Sequence, residues 1–77
     1  MDRHDFFYLV NMPSTVISEI YYDSARKTLR ITFVSGLVYE YEEVPENVFL
    51  SMKTSRSKGI YLNKYIKGQY SFRKVSE

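Results

Sequence analysis

The alternation of apolar and polar side chains on both sides of Ser35-Gly36 constrains the fold of this chain more than any other feature. Apolar residues occupy every second position before and after that dipeptide: Leu29, Ile31, Phe33, Leu37, Tyr39 and Tyr41. A period of two is the pattern of a strand with one buried face, and glycine adopts the positive φ that tight hairpins require. We therefore predict an antiparallel hairpin of strands over residues 28–34 and 37–43.

A further strand is predicted before the hairpin, because residues 16–23 are rich in β-branched and aromatic side chains. The period changes after Val44-Pro45, where proline and the acidic Glu46 suit the first turn of a helix. That helix is expected to run for about ten residues, the length of an average helix, and to end near residues 54–56. Six residues are expected to be largely buried: Leu29, Ile31, Phe33, Val48, Phe49 and Met52.

A second short helix is expected after Ser57, whose hydroxyl can cap its N-terminus, with Gly68 ending it as a residue of positive φ. Gly59 falls inside the first turn of that helix, so a loop is the alternative at this place. Strands followed by helices predict an α+β domain. Its architecture is an antiparallel three-stranded β-meander packed by one or two C-terminal helices, to which either terminus can add an extra strand.

The inventory of reactive side chains argues against an enzyme. The chain has one histidine, His4, and no cysteine, which excludes Cys-based zinc sites, disulfides and multi-histidine metal sites. Its three glycines are isolated and form no phosphate-binding loop. Glu40 and Glu42 are expected to lie on a solvated face of their strand. We therefore expect no catalytic residue, no metal, no cofactor and no small-molecule substrate.

No apolar stretch approaches the roughly 18 residues that a membrane helix needs. The first apolar run, Phe6–Val10, has five residues and follows flanking charges of both signs, which does not fit a signal peptide. We expect a cytoplasmic protein without a membrane segment.

Charge is distributed unevenly along the chain. Residues 1–52 carry four Lys and Arg against eight carboxylates, whereas residues 53–77 carry seven against one. Cations and aromatic rings are interleaved in this last third, and they suit phosphate neutralisation and base stacking respectively. The candidate nucleic-acid-binding residues are Lys53, Arg56, Lys58, Lys64, Lys67, Tyr61 and Tyr65. The alternative is a solvated helix face whose aromatic rings point inward.

Tyr39 and Tyr41 project from one face of their strand, because they are two residues apart. Two rings on a sheet suit the stacking of unpaired bases, but they also suit a hydrophobic core. Leu37 shares their face, and the pattern therefore favours core packing.

Residues spread over about 14–70 resemble, in their order and spacing, the KTSC domain family. They are Ile17, residues 20–23, Leu29, Ile31, Phe33, Gly36, Tyr39, Tyr41, Val44-Pro45, Phe49, Ser57, Gly59, Ile66 and Tyr70. The family marker is a central Tyr-x-Tyr, here Tyr39-Glu40-Tyr41, and Ser57 and Gly59 belong to the same motif. The sequence departs from the family at Arg56, where members often have a small residue.

The resemblance implies a single small domain with a core over 14–70 and flanking extensions at 1–13 and 71–77. Members occur as free-standing bacterial or phage proteins and at the C-terminus of some lysyl-tRNA synthetases. The family has no established activity, and RNA binding has been suggested from the synthetase association.

Two functional hypotheses follow for this non-enzymatic domain. The first is RNA binding, before DNA binding, through the basic and aromatic C-terminal third. The second is interaction with another protein or with itself, through a sheet edge or the Phe6–Val10 run.

Overall fold

The computed structural model describes residues 16–75, which form a four-stranded antiparallel sheet with helices between its third and fourth strands. The strands are β1 (Ile17–Asp23), β2 (Thr28–Phe33), β3 (Val38–Tyr41) and β4 (Phe72–Lys74), in the order β1-β2-β3-β4 across the sheet. The helices are α1 (Glu46–Lys53) and α2 (Lys58–Tyr61), and α2 continues directly into a π-helical segment, Leu62–Ile66. The predicted α+β class is confirmed. The Phe6–Val10 run lies outside the described residues.

The predicted hairpin is the centre of the sheet. Gly36 has a φ of 101°, and its amide donates to the carbonyl of Phe33 at 2.8 Å, which closes the turn between β2 and β3. A non-glycine residue would be strained at this φ. The turn between β1 and β2 is held by the Asp23 carboxylate, which accepts from the amides of Ala25 and Arg26, as expected of Asp at the start of a turn.

The strand register decides which side chains form the core. Leu29 lies opposite Tyr41 and Ile31 opposite Tyr39, so the apolar positions of both strands share one face. A shift of register between Ile17 and Glu19 in β1 brings Ile17 opposite Phe33 on the same face. The helices cover this face, and the buried core is Ile17, Leu29, Ile31, Tyr41, Val44, Met52, Leu62 and Ile66.

Of the six residues predicted to be largely buried, Leu29, Ile31 and Met52 are fully buried. The other three are partly buried at the margin of the core. Phe49 stacks on Tyr22 with ring centroids 5.0 Å apart. Tyr22 belongs to β1, which is an edge strand of the described sheet, and this pair therefore lies at the margin of the core.

Both predicted helices are present, and they differ from the expectation in length and type. Helix α1 begins after Pro45 with Glu46 in its first turn, but it has eight residues because the backbone turns away at Thr54. The Ser57 hydroxyl caps α2 by accepting from the amide of Ile60 at 3.3 Å. The helix then widens, since the amide of Lys67 donates to the carbonyl of Leu62, five residues back, at 2.9 Å.

The C-terminal tail supplies the extra strand that the sequence allowed. β4 pairs antiparallel with β3, with Phe72 opposite Tyr41 and Lys74 opposite Tyr39. Phe72 packs its ring on both tyrosines, at centroid distances of 5.2 Å from Tyr39 and 5.5 Å from Tyr41. This three-residue strand is therefore held by aromatic packing on one face as well as by its backbone pairing.

The expectation that Glu40 is solvated was wrong. Glu40 is only 3% exposed, because arginines from both neighbouring strands lie directly opposite it. Arg30 donates to its carboxylate at 2.7 Å and 3.0 Å, and Arg73 donates at 2.8 Å. The Arg30 hydrogen bonds, together with those of Arg73, lower the pKa of Glu40 against the opposing effect of burial. Glu42 is exposed, as expected.

We expect Tyr41→Ala to lower the free energy of unfolding by about 3 kcal/mol or more, the usual loss when a large buried aromatic side chain is truncated. The measurement is urea unfolding followed by circular dichroism. Tyr65→Ala is the control, because that side chain is half exposed and should change the stability by less than about 1 kcal/mol. Equal losses in the two variants would contradict the placement of Tyr41 in the core.

Glu40→Gln is expected to destabilise the protein at neutral pH by about 2 kcal/mol, because charge-assisted hydrogen bonds to two arginines become neutral ones. A carboxyl whose pKa is lowered by folding stabilises the protein fully at pH values above its unfolded pKa, here 4.5. This stabilisation is lost as the pH falls through the folded pKa. Melting temperatures of wild type and variant should therefore differ at pH 7 and converge as the pH falls through the folded pKa of Glu40, which lies below 4.5. A difference that persists at low pH would contradict the ionic origin of the effect.

Candidate nucleic-acid interface

An open groove of about 260 Å³ lies along the α2 helix and the loop that precedes it. Its lining residues are Ser55, Arg56, Ser57, Ile60, Tyr61, Lys64 and Tyr65. Four of the residues predicted to contact nucleic acid, Arg56, Tyr61, Lys64 and Tyr65, thus line one surface.

Helical spacing explains why these side chains meet. Residues four apart lie on one side of a helix, which pairs Ile60 with Lys64 and Tyr61 with Tyr65. The Ser57 cap sets the residue at which the helix begins. The loop is closed by the Ser55 hydroxyl, which donates to the carbonyl of Met52 at 2.8 Å.

The two tyrosines form a stepped aromatic surface. Their ring centroids are 4.8 Å apart and their planes are inclined by 43°. Tyr61 packs against the hydrophobic core, whereas Tyr65 is 52% exposed. The Lys64 ammonium lies 5.8 Å from the Tyr65 ring centroid, a cation–π distance. The core thus holds one ring in place, and the second ring is presented to solvent.

The groove is electropositive. Arg56 and Lys64 line it, and no carboxylate is found among its lining residues within 16–75. The sequence has no Asp or Glu from residue 47 to residue 76, so α2 and the loop before it contribute no carboxylate of their own. A groove with cations beside an exposed aromatic ring suits an anionic ligand that also has a flat apolar surface.

Residues 13–70 match the family model of the KTSC domain. The chain belongs to the KTSC domain family. A crystal structure of a KTSC domain protein from Yersinia pestis has the same fold, with a TM-score of 0.73, 34% sequence identity, and coverage of 78% of this chain and 84% of that one.

Curated relatives of this KTSC domain include much longer proteins. Lysine–tRNA ligases of Nostoc punctiforme and Trichormus variabilis are 40% and 39% identical over 70 residues, which is 91% of this chain and 12% of either ligase. An uncharacterised protein of Stutzerimonas stutzeri is of similar size, with 31% identity over 79% of this chain and 86% of its own length. The chain therefore spans a small fraction of the ligases that it matches.

The four residues that the resemblance assigns to the KTSC motif have different surroundings in the structure. Tyr41 lies in the core, and burial raises the pKa of its hydroxyl. Tyr39 is half buried between Phe72 and Phe33. Ser57 caps α2, and Gly59 is buried in the first turn of that helix. Both tyrosines are on the face that the helices cover, which agrees with the core packing that the sequence pattern favours.

The remaining candidate cations lie outside the groove lining. Lys53 ends α1, Lys58 is the half-buried first residue of α2, and Lys67 follows the π-helical segment. Sequence reasoning missed Ile60, which also lines the groove; its spacing of four from Lys64 is the signal that indicates it. Lys67 and Lys64 carry the same charge, but only Lys64 lines the groove.

Neither a metal centre nor a membrane span is found in the part of the chain that the structure describes. Residues 16–75 contain no cluster of three His, Cys, Asp or Glu side chains suited to a metal ion. None of their helices has the length and apolar composition needed to cross a bilayer.

We expect Ser57→Ala to lower the free energy of unfolding by about 1 kcal/mol, the usual effect of losing an N-cap hydroxyl. Ser57→Asp should retain most of the stability, because a carboxylate also accepts from the first amides of a helix. Chemical unfolding of the two variants measures both effects. Equal losses in the two variants would contradict the capping role.

Proposed function

We propose that this KTSC domain is a non-enzymatic RNA-binding module that holds single-stranded RNA in the groove beside α2. The observation that carries the proposal is the presence of two cations and two aromatic rings in one groove, with no carboxylate among the described residues that line it. Single-strand binding proteins combine these two features, because cations follow the backbone while bases stack on aromatic rings.

We propose a different role for each side chain of the groove. Arg56 and Lys64 neutralise phosphates, whereas the exposed ring of Tyr65 stacks on an unpaired base. Tyr61 supports Tyr65 from the core side. Phosphate contacts carry no sequence information, and therefore the module binds RNA with little sequence preference.

The relatives agree with an RNA ligand. Two lysine–tRNA ligases carry a segment about 40% identical to this chain, and their name denotes an RNA substrate. The matching segment is 12% of each ligase, a length that fits an accessory module. We propose that the module retains RNA as its ligand when it occurs in a chain such as this one.

The alternative proposal is a protein-interaction module that acts through the edge of the sheet. Within residues 16–75, β4 pairs with β3 alone, and Phe72 and Val75 at this edge are exposed apolar residues. An exposed edge strand can accept a further strand from a partner or from a second copy. We rank this proposal below RNA because β4 is only three residues long.

Fluorescence anisotropy of a labelled single-stranded RNA tests the groove. We expect a dissociation constant in the micromolar range or weaker, and a slope of about −2 in log K against log salt for roughly three phosphate contacts. Lys64→Ala should reduce the slope by about 0.7. Tyr65→Ala should weaken binding about tenfold with an unchanged slope, because stacking is not ionic.

Lys67→Ala is the matched control, since it removes the same charge from a residue outside the groove. It should change the affinity much less than Lys64→Ala does. The groove proposal is contradicted by an absence of binding at low salt or by equal effects of the two lysine variants. Absence of RNA binding together with concentration-dependent dimers would favour the protein-interaction module instead.

A further inference from the structure

A row of side chains crosses all four strands on the sheet face opposite the helices. The register places Tyr21 opposite Arg30, Arg30 opposite Glu40, and Glu40 opposite Arg73. Directly opposed residues share a face, and this face is the one that Leu29, Ile31 and Tyr41 do not occupy. The row is therefore on a separate surface from the groove beside α2.

Three arginines converge on the one buried carboxylate of this row. Arg30 and Arg73 hydrogen bond to Glu40, and the Arg26 guanidinium lies 4.0 Å from it. Arg26 also lies 3.8 Å from the Asp23 carboxylate. The group thus contains three cations and two anions.

The cations and the anions of this group differ in exposure. The arginine side chains are 60%, 45% and 58% exposed, for Arg26, Arg30 and Arg73 in that order. The carboxylates are much less exposed, at 29% for Asp23 and 4% for Glu40. Within this group, the side chains that a ligand would meet are therefore mainly the three guanidinium groups.

Glu40 holds the guanidinium groups of Arg30 and Arg73 in fixed positions before any ligand arrives. A guanidinium has five N–H donors, and Glu40 accepts two from Arg30 and one from Arg73. Donors that are fixed in advance lose less conformational entropy on binding. The arrangement suits a phosphate, which accepts several such hydrogen bonds at once.

Tyr21 adds an aromatic surface to the same row. Its side chain is exposed, and the Arg30 guanidinium carbon lies 6.0 Å from the ring centroid. An exposed ring beside fixed cations on a sheet is an arrangement on which an unpaired base can stack.

We infer that the sheet face opposite the helices is a second binding surface for single-stranded nucleic acid. Arg26, Arg30 and Arg73 contact a phosphate, and Tyr21 stacks on the adjacent base. The surface acts independently of the groove, because the two lie on opposite sides of the sheet.

The test uses the full chain, a labelled single-stranded RNA and two variants of this face. Arg26→Ala removes the most exposed guanidinium, which makes no hydrogen bond to Glu40, and the melting temperature should be unchanged. It should reduce the salt slope by about 0.7. Tyr21→Ala should weaken binding about tenfold at constant slope. Lys74→Ala is the matched control, because Lys74 lies opposite Tyr39 on the other face.

The outcomes separate the two surfaces. Weakening by Arg26→Ala and Tyr21→Ala but not by Lys74→Ala supports the sheet-face site, whatever the Lys64→Ala and Tyr65→Ala variants do. Affinity that is lost only in the Lys64 and Tyr65 variants overturns the sheet-face site and leaves the groove proposal standing. Equal effects of Arg26→Ala and Lys74→Ala overturn it as well, because they indicate attraction by net charge alone. Absence of RNA binding at low salt overturns both surfaces.

Discussion

The register between β2 and β3 is the constraint on which the rest of the structure depends. It places Leu29 opposite Tyr41 and, one residue on, Arg30 opposite Glu40. One face of the central strand pair is therefore apolar and the other is ionic. A slip of one residue would exchange the two faces, burying charges under the helices and exposing the core. The Gly36 turn closes the hairpin in this register.

Side chains on both faces of β3 hold the short C-terminal strand β4 in place. On the apolar face Phe72 packs on Tyr39 and Tyr41, and on the ionic face Arg73 donates to Glu40. Backbone pairing over three residues is weak by itself, since isolated strand pairs are marginally stable in water. The two side-chain contacts supply the additional stabilisation, and they make Glu40 a buried carboxylate with arginines on either side.

The π-helical segment that follows α2 contributes side chains both to the core and to the surface of the groove. Leu62 and Ile66 are buried against the sheet, while Tyr65, from the same segment, is exposed in the groove. The Ser57 cap determines where this helix begins, and hence which residues face the core and which face the groove. Stability and the proposed binding site therefore depend on one capping contact.

The sequence by itself determined the hairpin, the two helices and the identity of the core strands, because local periodicity and capping residues are sufficient to indicate them. It also indicated Arg56, Tyr61, Lys64 and Tyr65, since helical spacing brings close neighbours in the chain together. Only the tertiary structure decided that Glu40 is buried and ion-paired, because its partner Arg73 is 33 residues away in the chain. A period of two tells which face a side chain occupies, but not which distant strand will lie beside it. The burial of Glu40, and the surface formed by Arg26, Arg30 and Arg73, arise from pairing across the sheet that no local pattern encodes.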